Sequence, residues 1–114
     1  MNKDFSQFQK YFKKYQTRFG LMGYSVYFKY EPLDDDVFAR IKLNQRDMVA
    51  TVTLGSKLRD EDKPFKDIKG TAKHEALHLL ICRLERNARD RFTQEVEIDE
   101  AVEELVNKLV ELIL

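Results

Sequence analysis

Residues 71–82 read Thr71-Ala72-Lys73-His74-Glu75-Ala76-Leu77-His78-Leu79-Leu80-Ile81-Cys82. Within them His74, Glu75 and His78 form an H-E-x-x-H pattern on a segment that reads as helix. Residues i and i+4 stack on one helix face, so two imidazoles can reach a single Zn²⁺ at about 2.0–2.1 Å. Glu75 is turned roughly 100° away, too far round to compete as a direct ligand. Its carboxylate can still reach a metal-bound water, whose pKa zinc lowers towards ~7, and act as general base. The chain holds two histidines, and both fall in this motif. The apolar run Leu79-Leu80-Ile81 follows directly, so the motif helix is expected to be buried along one side.

Working outward, this helix is expected to begin between Pro64 and Thr71 and to run to about Ala88. Pro64 suits a first turn, whereas Gly70 weakens the early part. A break near Asn87-Ala88-Arg89-Asp90 precedes a last helix from about Thr93 to the C-terminus, with Ile98, Val102, Leu105, Leu109 and Leu112 as its apolar face. Towards the N-terminus, Phe5, Phe8, Phe12, Tyr15 and Phe19 recur at spacings of three and four. They predict a first helix over 4–19 with a core-facing aromatic stripe, Asp4 as N-cap and Gly20 as stop. Between the two lie three stretches of period two. Val26, Phe28 and Tyr30 alternate with polar neighbours, as do Val37, Ala39, Ile41 and Leu43, and Met48, Ala50, Val52 and Leu54. Turns at Asp34-Asp35-Asp36 and Asn44–Asp47 join them into an expected antiparallel meander. The three aspartates lack the spacing of a calcium loop and read as a solvated turn. Residues 1–114 thus predict a single α+β domain: helix, three-stranded antiparallel sheet, motif helix, C-terminal helix.

Composition narrows the setting. Lys+Arg and Asp+Glu are equal at 20 each, a balance that argues against nucleic acid or a membrane surface as the main partner. Cys82 is the single cysteine, which excludes an internal disulfide and fits a buried structural thiol. The polar start Met1–Gln7 is unlike a signal peptide, and no apolar run approaches the ~18 residues of a membrane span. A cytoplasmic protein, monomeric or weakly dimeric, is the expectation.

A catalytic zinc needs a third protein ligand and an open position for water. No third histidine exists, and Cys82 lies about 12 Å along the axis from His74, beyond convergence. The third ligand is therefore expected to be a carboxylate of the last helix. Around that helix Glu100 points away from the apolar stripe, and Glu97 and Glu104 lie well out. Glu103 is favoured for its reach, with Asp99, one turn below it, as a partner for a histidine.

The H-E-A-L-H helix followed by an acid-bearing helix resembles the gluzincin metallopeptidases, and the order and size resemble their minimal single-domain members, the minigluzincins. The chain is also similar to SprT-like and ImmA/IrrE-type peptidases. In the latter a Glu four residues before an Asn is the metal ligand, and Glu103-Glu104-Leu105-Val106-Asn107 matches at Glu103. The resemblance implies a zincin-like domain that hydrolyses peptide bonds with Zn²⁺ on His74, His78 and Glu103. A peptide or protein substrate would then pair with a strand edge above the motif helix. The oxyanion would need a further donor, for which Tyr24, Tyr27, Tyr30 and Arg40 are open candidates.

Two other classes compete. One is a non-catalytic domain that keeps zinc for stability or regulation. The other is a DNA-associated SprT-like protease, for which Arg83, Arg86, Arg89, Arg91 and Lys10, Lys13, Lys14, Arg18 supply cations. The apolar end Val110-Glu111-Leu112-Ile113-Leu114 could fill the cleft or form a dimer surface.

Overall fold

Alternation of ring and charge along the first helix determines how the domain is built. In a computed structural model, which describes residues 2–34, 37–58, 61, 63 and 66–112, α1 spans Lys3–Arg18. Asn2, rather than Asp4, is its cap, accepting a hydrogen bond from the Phe5 N–H at 3.1 Å. Asp4 lies one turn inside, where an acid favours the helix dipole, and holds Lys66 at 2.9 Å. Gly20 ends the element at φ +73°, a left-handed conformation that costs glycine little. The aromatic stripe is core as expected. Phe8 and Phe12 are fully buried, Tyr15 and Phe19 nearly so. Phe28 meets both Phe8 and Phe12 edge-on at centroid distances of 6.3 and 5.5 Å.

The strands are β1 (Ser25–Glu31), β2 (Ala39–Asn44) and β3 (Val49–Gly55). Their order is β1-β3-β2, with β1 parallel and β2 antiparallel to β3. The sheet is therefore mixed, and the expected antiparallel meander is corrected. The most apolar strand takes the centre. Ala50, Val52 and Leu54 of β3 are all buried, whereas β1 is mostly exposed and β2 is divided between half-buried and exposed residues. A strand bonded on both edges is the one best able to bury its whole length. The register Ala39↔Leu54, Ile41↔Val52 and Leu43↔Ala50 puts the apolar residues of β2 on the helix side. It leaves β2 as a sheet edge. The turn Asn44–Asp47 forms as predicted. The Asn44 side chain donates to the Asp47 carboxylate and accepts from the Asp47 N–H, at 3.0 and 3.1 Å.

Helix α2 spans Ile68–Arg89 and α3 spans Glu95–Leu112. Asp67 caps α2 through the Gly70 N–H at 2.9 Å, so the glycine that weakened the sequence pattern has a use: a Cβ there would collide with the Asp67 carboxylate. Pro64, proposed for the first turn, lies outside the described residues, as do Asp35, Asp36, Ile113, Leu114 and the Val110 side chain.

The face of α3 is a second correction. Ala101 is buried, and Leu105 and Leu112 pack on the core, but Ile98, Val102 and Leu109 remain more than a third exposed. Charge accounts for the rotation. Glu104 and Glu100 both reach Arg83 on α2, and Lys108 donates to the Gly20 carbonyl at 3.0 Å. These polar anchors turn the helix so that part of its apolar stripe faces outward. No helix among the described residues is long and apolar enough to cross a membrane.

Removing the ring at the centre of the core should be costly. Phe12→Ala is expected to destabilise the domain by about 3–5 kcal/mol, read as a lowered urea midpoint at unchanged slope.

Candidate metal and catalytic site

One side of α2 is built for close approach. Ala72, Ala76 and Leu79 are fully buried, and their small or compact side chains seat the helix against the core. Burying that face turns His74 and His78 outward on the other, and leaves Glu75 at the border. His74 is exposed, His78 half-buried and Glu75 only 6% exposed. The helical i, i+4 relation brings the two Nε2 atoms to 3.2 Å, with ring centroids 4.8 Å apart. Two nitrogens each about 2.0–2.1 Å from a tetrahedral zinc lie roughly 3.3–3.4 Å apart, so the observed spacing fits a shared ion. One imidazole can equally donate to the other when no cation lies between them.

Glu75 makes no hydrogen bond or ion pair among the described residues. Burial raises its pKa above the usual carboxylate range, partly offset by the two neighbouring imidazoles. Such a group is costly to the fold and useful to chemistry, because it holds a proton more readily than a solvated glutamate.

The histidines and Glu75 line a cleft of about 390 Å³, whose other wall is β2 through Ala39, Arg40 and Ile41. Of the four oxyanion candidates, Arg40 alone lines this cleft, and its guanidinium also sits 3.7 Å from Asp34. Tyr24 is placed elsewhere, with its hydroxyl 3.2 Å from the Cys82 Sγ. Tyr27 is 61% exposed and lies opposite the core-facing side of β1. Tyr30 stacks on Phe5 at 5.2 Å.

The third ligand is where sequence and geometry diverge. Glu103 is exposed, on the side of α3 opposite Ala101 and Leu105. Asp99 is exposed too, and Glu100 and Glu104 are engaged by Arg83. Among the described residues no group of three His, Cys, Asp or Glu side chains could hold a metal ion. The structure thus brings His74, Glu75 and His78 together and does not bring Glu103 to them. Sequence reasoning also missed Arg83 as the clasp of α3. Its signal was legible as Glu100 and Glu104 at i, i+4, a spacing that one guanidinium can bridge.

Cys82 is buried, as read from the sequence. Burial raises its thiol pKa, an effect that the Tyr24 hydroxyl opposes. The basic cluster is dispersed: Arg83 is taken by Glu104 and Glu100, Arg89 by Glu85 at 3.3 Å, and Arg91 lies over the Phe92 ring.

A scan against protein-family models finds no match to this chain, and searches of curated proteins and of solved structures find none either.

Two outcomes follow from burial. Glu75→Gln removes a carboxylate whose charged form is disfavoured by burial and should stabilise the metal-free protein by about 1 kcal/mol, measured by urea unfolding at neutral pH. Cys82, held protonated above its ordinary range, should react slowly with a disulfide reagent at mildly alkaline pH until the protein is unfolded, followed by absorbance.

Proposed function

We propose that this chain is a zinc-dependent metallopeptidase of the gluzincin-like, zincin-like kind, with His74 and His78 as metal ligands and Glu75 as general base. The observation that carries the reading is the 3.2 Å approach of the two Nε2 atoms beside the largely buried Glu75. Zn²⁺ held there would supply Lewis acidity and lower the pKa of a bound water towards ~7. Glu75 faces the same cleft, and its raised proton affinity suits it to take a proton from the attacking water and pass it to the leaving amine. Arg40 borders the cleft, but strand alternation sets its side chain on the face of β2 opposite Ala39 and Ile41, beside Asp34, so no oxyanion donor is assigned among the described residues. The outer edge of β2, unpaired among the described strands, offers backbone donors and acceptors to an extended peptide, which would hold the scissile bond along the cleft.

A second reading has one specific observation in its favour. Since no third ligand joins the pair among the described residues, the domain could keep zinc without turning over peptides, its remaining positions filled by water or by a partner's donor. The DNA-associated reading has less support, because Arg83 and Arg89 are each paired with carboxylates and the total charge is zero.

Metal analysis separates these possibilities. About one zinc per chain should survive gentle dialysis, and His74→Ala or His78→Ala should each weaken zinc binding by about 100-fold or more. Glu103→Ala, on the outward face, should change zinc affinity by less than about twofold; a loss of about tenfold would return the third position to Glu103. Glu75→Gln should retain zinc and abolish cleavage of a peptide library. A zinc-loaded wild type that cleaves nothing would favour the non-catalytic reading, and a chain that holds no zinc would refute both.

A further inference from the structure

The histidine cleft is the middle of a longer trench. Towards the N-terminus of α2 it shares Ala39, His74 and Glu75 with a hollow of about 510 Å³ that reaches Asp67. In the other direction it shares Leu43 and Glu85 with a cleft of about 690 Å³ between the β2–β3 turn and the last turns of α2. The trench follows β2 on one side and α2 on the other.

Its two ends differ in charge. The 690 Å³ end is lined by Arg46, Arg86 and Arg89, together with Glu85 and Asp90. Both acids are engaged. Glu85 holds Arg89 at 3.3 Å, and the Asp90 carboxylate accepts from the Phe92 N–H at 2.9 Å. Arg46 and Arg86 make no ion pair among the described residues. The Asn44–Asp47 side-chain bonds hold the turn that carries Arg46, and Arg86 lies on regular helix, so both guanidiniums are presented from ordered backbone. The opposite end carries Asp67.

From this gradient we infer that the trench takes an extended peptide whose acidic side chains seat between Arg46 and Arg86; this specificity rests on the peptidase reading of the same cleft. Guanidinium is the group best shaped to hold a carboxylate through paired N–H donors. Spacing sets the register. Arg86 lies eight residues beyond His78, about 12 Å along the helix axis. An extended peptide advances about 3.3 Å per residue, so the acidic side chain falls three to four residues from the bond held at the histidines. The outer edge of β2 supplies backbone pairing over that interval, and the two arginines supply selection at its end.

The test uses the full chain carrying Glu75→Gln, so that peptides bind without being cut. Fluorescent decapeptides are compared by anisotropy with Glu-Glu, Gln-Gln or Lys-Lys placed three and four residues to either side of a central apolar residue. The Glu-Glu peptide, on one side of the centre, should bind about tenfold tighter than its Gln-Gln counterpart at low salt, and the gap should narrow as salt rises. Arg46→Ala with Arg86→Ala should erase the preference, while Arg91→Ala, outside the trench lining, should keep it. Equal binding of Glu-Glu and Gln-Gln peptides, tighter binding of Lys-Lys, no binding of any peptide, or a preference that survives the double substitution would overturn the inference. Repeating the titration with metal-free protein keeps the two proposals distinct. A charge preference that persists there, in a chain that never holds zinc, would leave the acidic-segment reading standing and sink the peptidase.

Discussion

Everything at the candidate site depends on how α2 is seated. Ala72, Ala76 and Leu79 are fully buried, and this contact fixes the rotation of the helix about its own axis. Because a helix turns about 100° per residue, one buried face dictates every other direction. His74 and His78 must then face outward together, and Glu75 must sit at the margin, enclosed on one side by β2. Packing, rather than any bond between the three side chains, is what aligns them. A shift of the buried face by one residue would either place Glu75 in water or turn Glu75 and His78 into the core. The burial of Glu75, which disfavours its charged form, is a cost to stability of the kind that reactive sites carry.

The other helix is held by a different force. Arg83 draws in Glu104 and Glu100, Lys108 ties α3 to the Gly20 carbonyl, and Asn87 donates to the Glu97 carbonyl at 3.0 Å. Together these polar contacts span three turns of α3. They cost the helix part of its apolar burial, since Ile98, Val102 and Leu109 stay partly in water. They also explain why the acids of α3 do not meet the histidines: the two nearest the protein body are committed to a guanidinium, and Glu103 faces outward.

Much of this was legible in the sequence. The aromatic stripe of α1, the three strands, the Asn44–Asp47 turn and the buried thiol of Cys82 all follow from local periodicity, which depends on a residue's immediate neighbours. So does the H-E-x-x-H triplet, because its geometry is internal to one helix. What was not legible is relational. Alternation marks a strand without naming its partner, so the parallel pairing of β1 with β3 could not be read from Val26, Phe28 and Tyr30. The burial of Ala50, Val52 and Leu54 on both sides of the pairing question is decided only when the whole sheet forms. Likewise the apolar stripe of α3 predicts a buried face about 60–80° away from the one centred on Ala101, because the pull of Arg83 arises between helices.

On the proposed reading, His74 and His78 bind one metal ion through both imidazoles. X-ray absorption at the zinc edge of the loaded protein tests it directly. Two imidazole nitrogens per zinc are expected at about 2.0–2.1 Å, the remainder of the shell being oxygen, with loss of one imidazole in His78→Ala. A sulfur shell at about 2.3 Å, or a shell with no imidazole scattering, would contradict it.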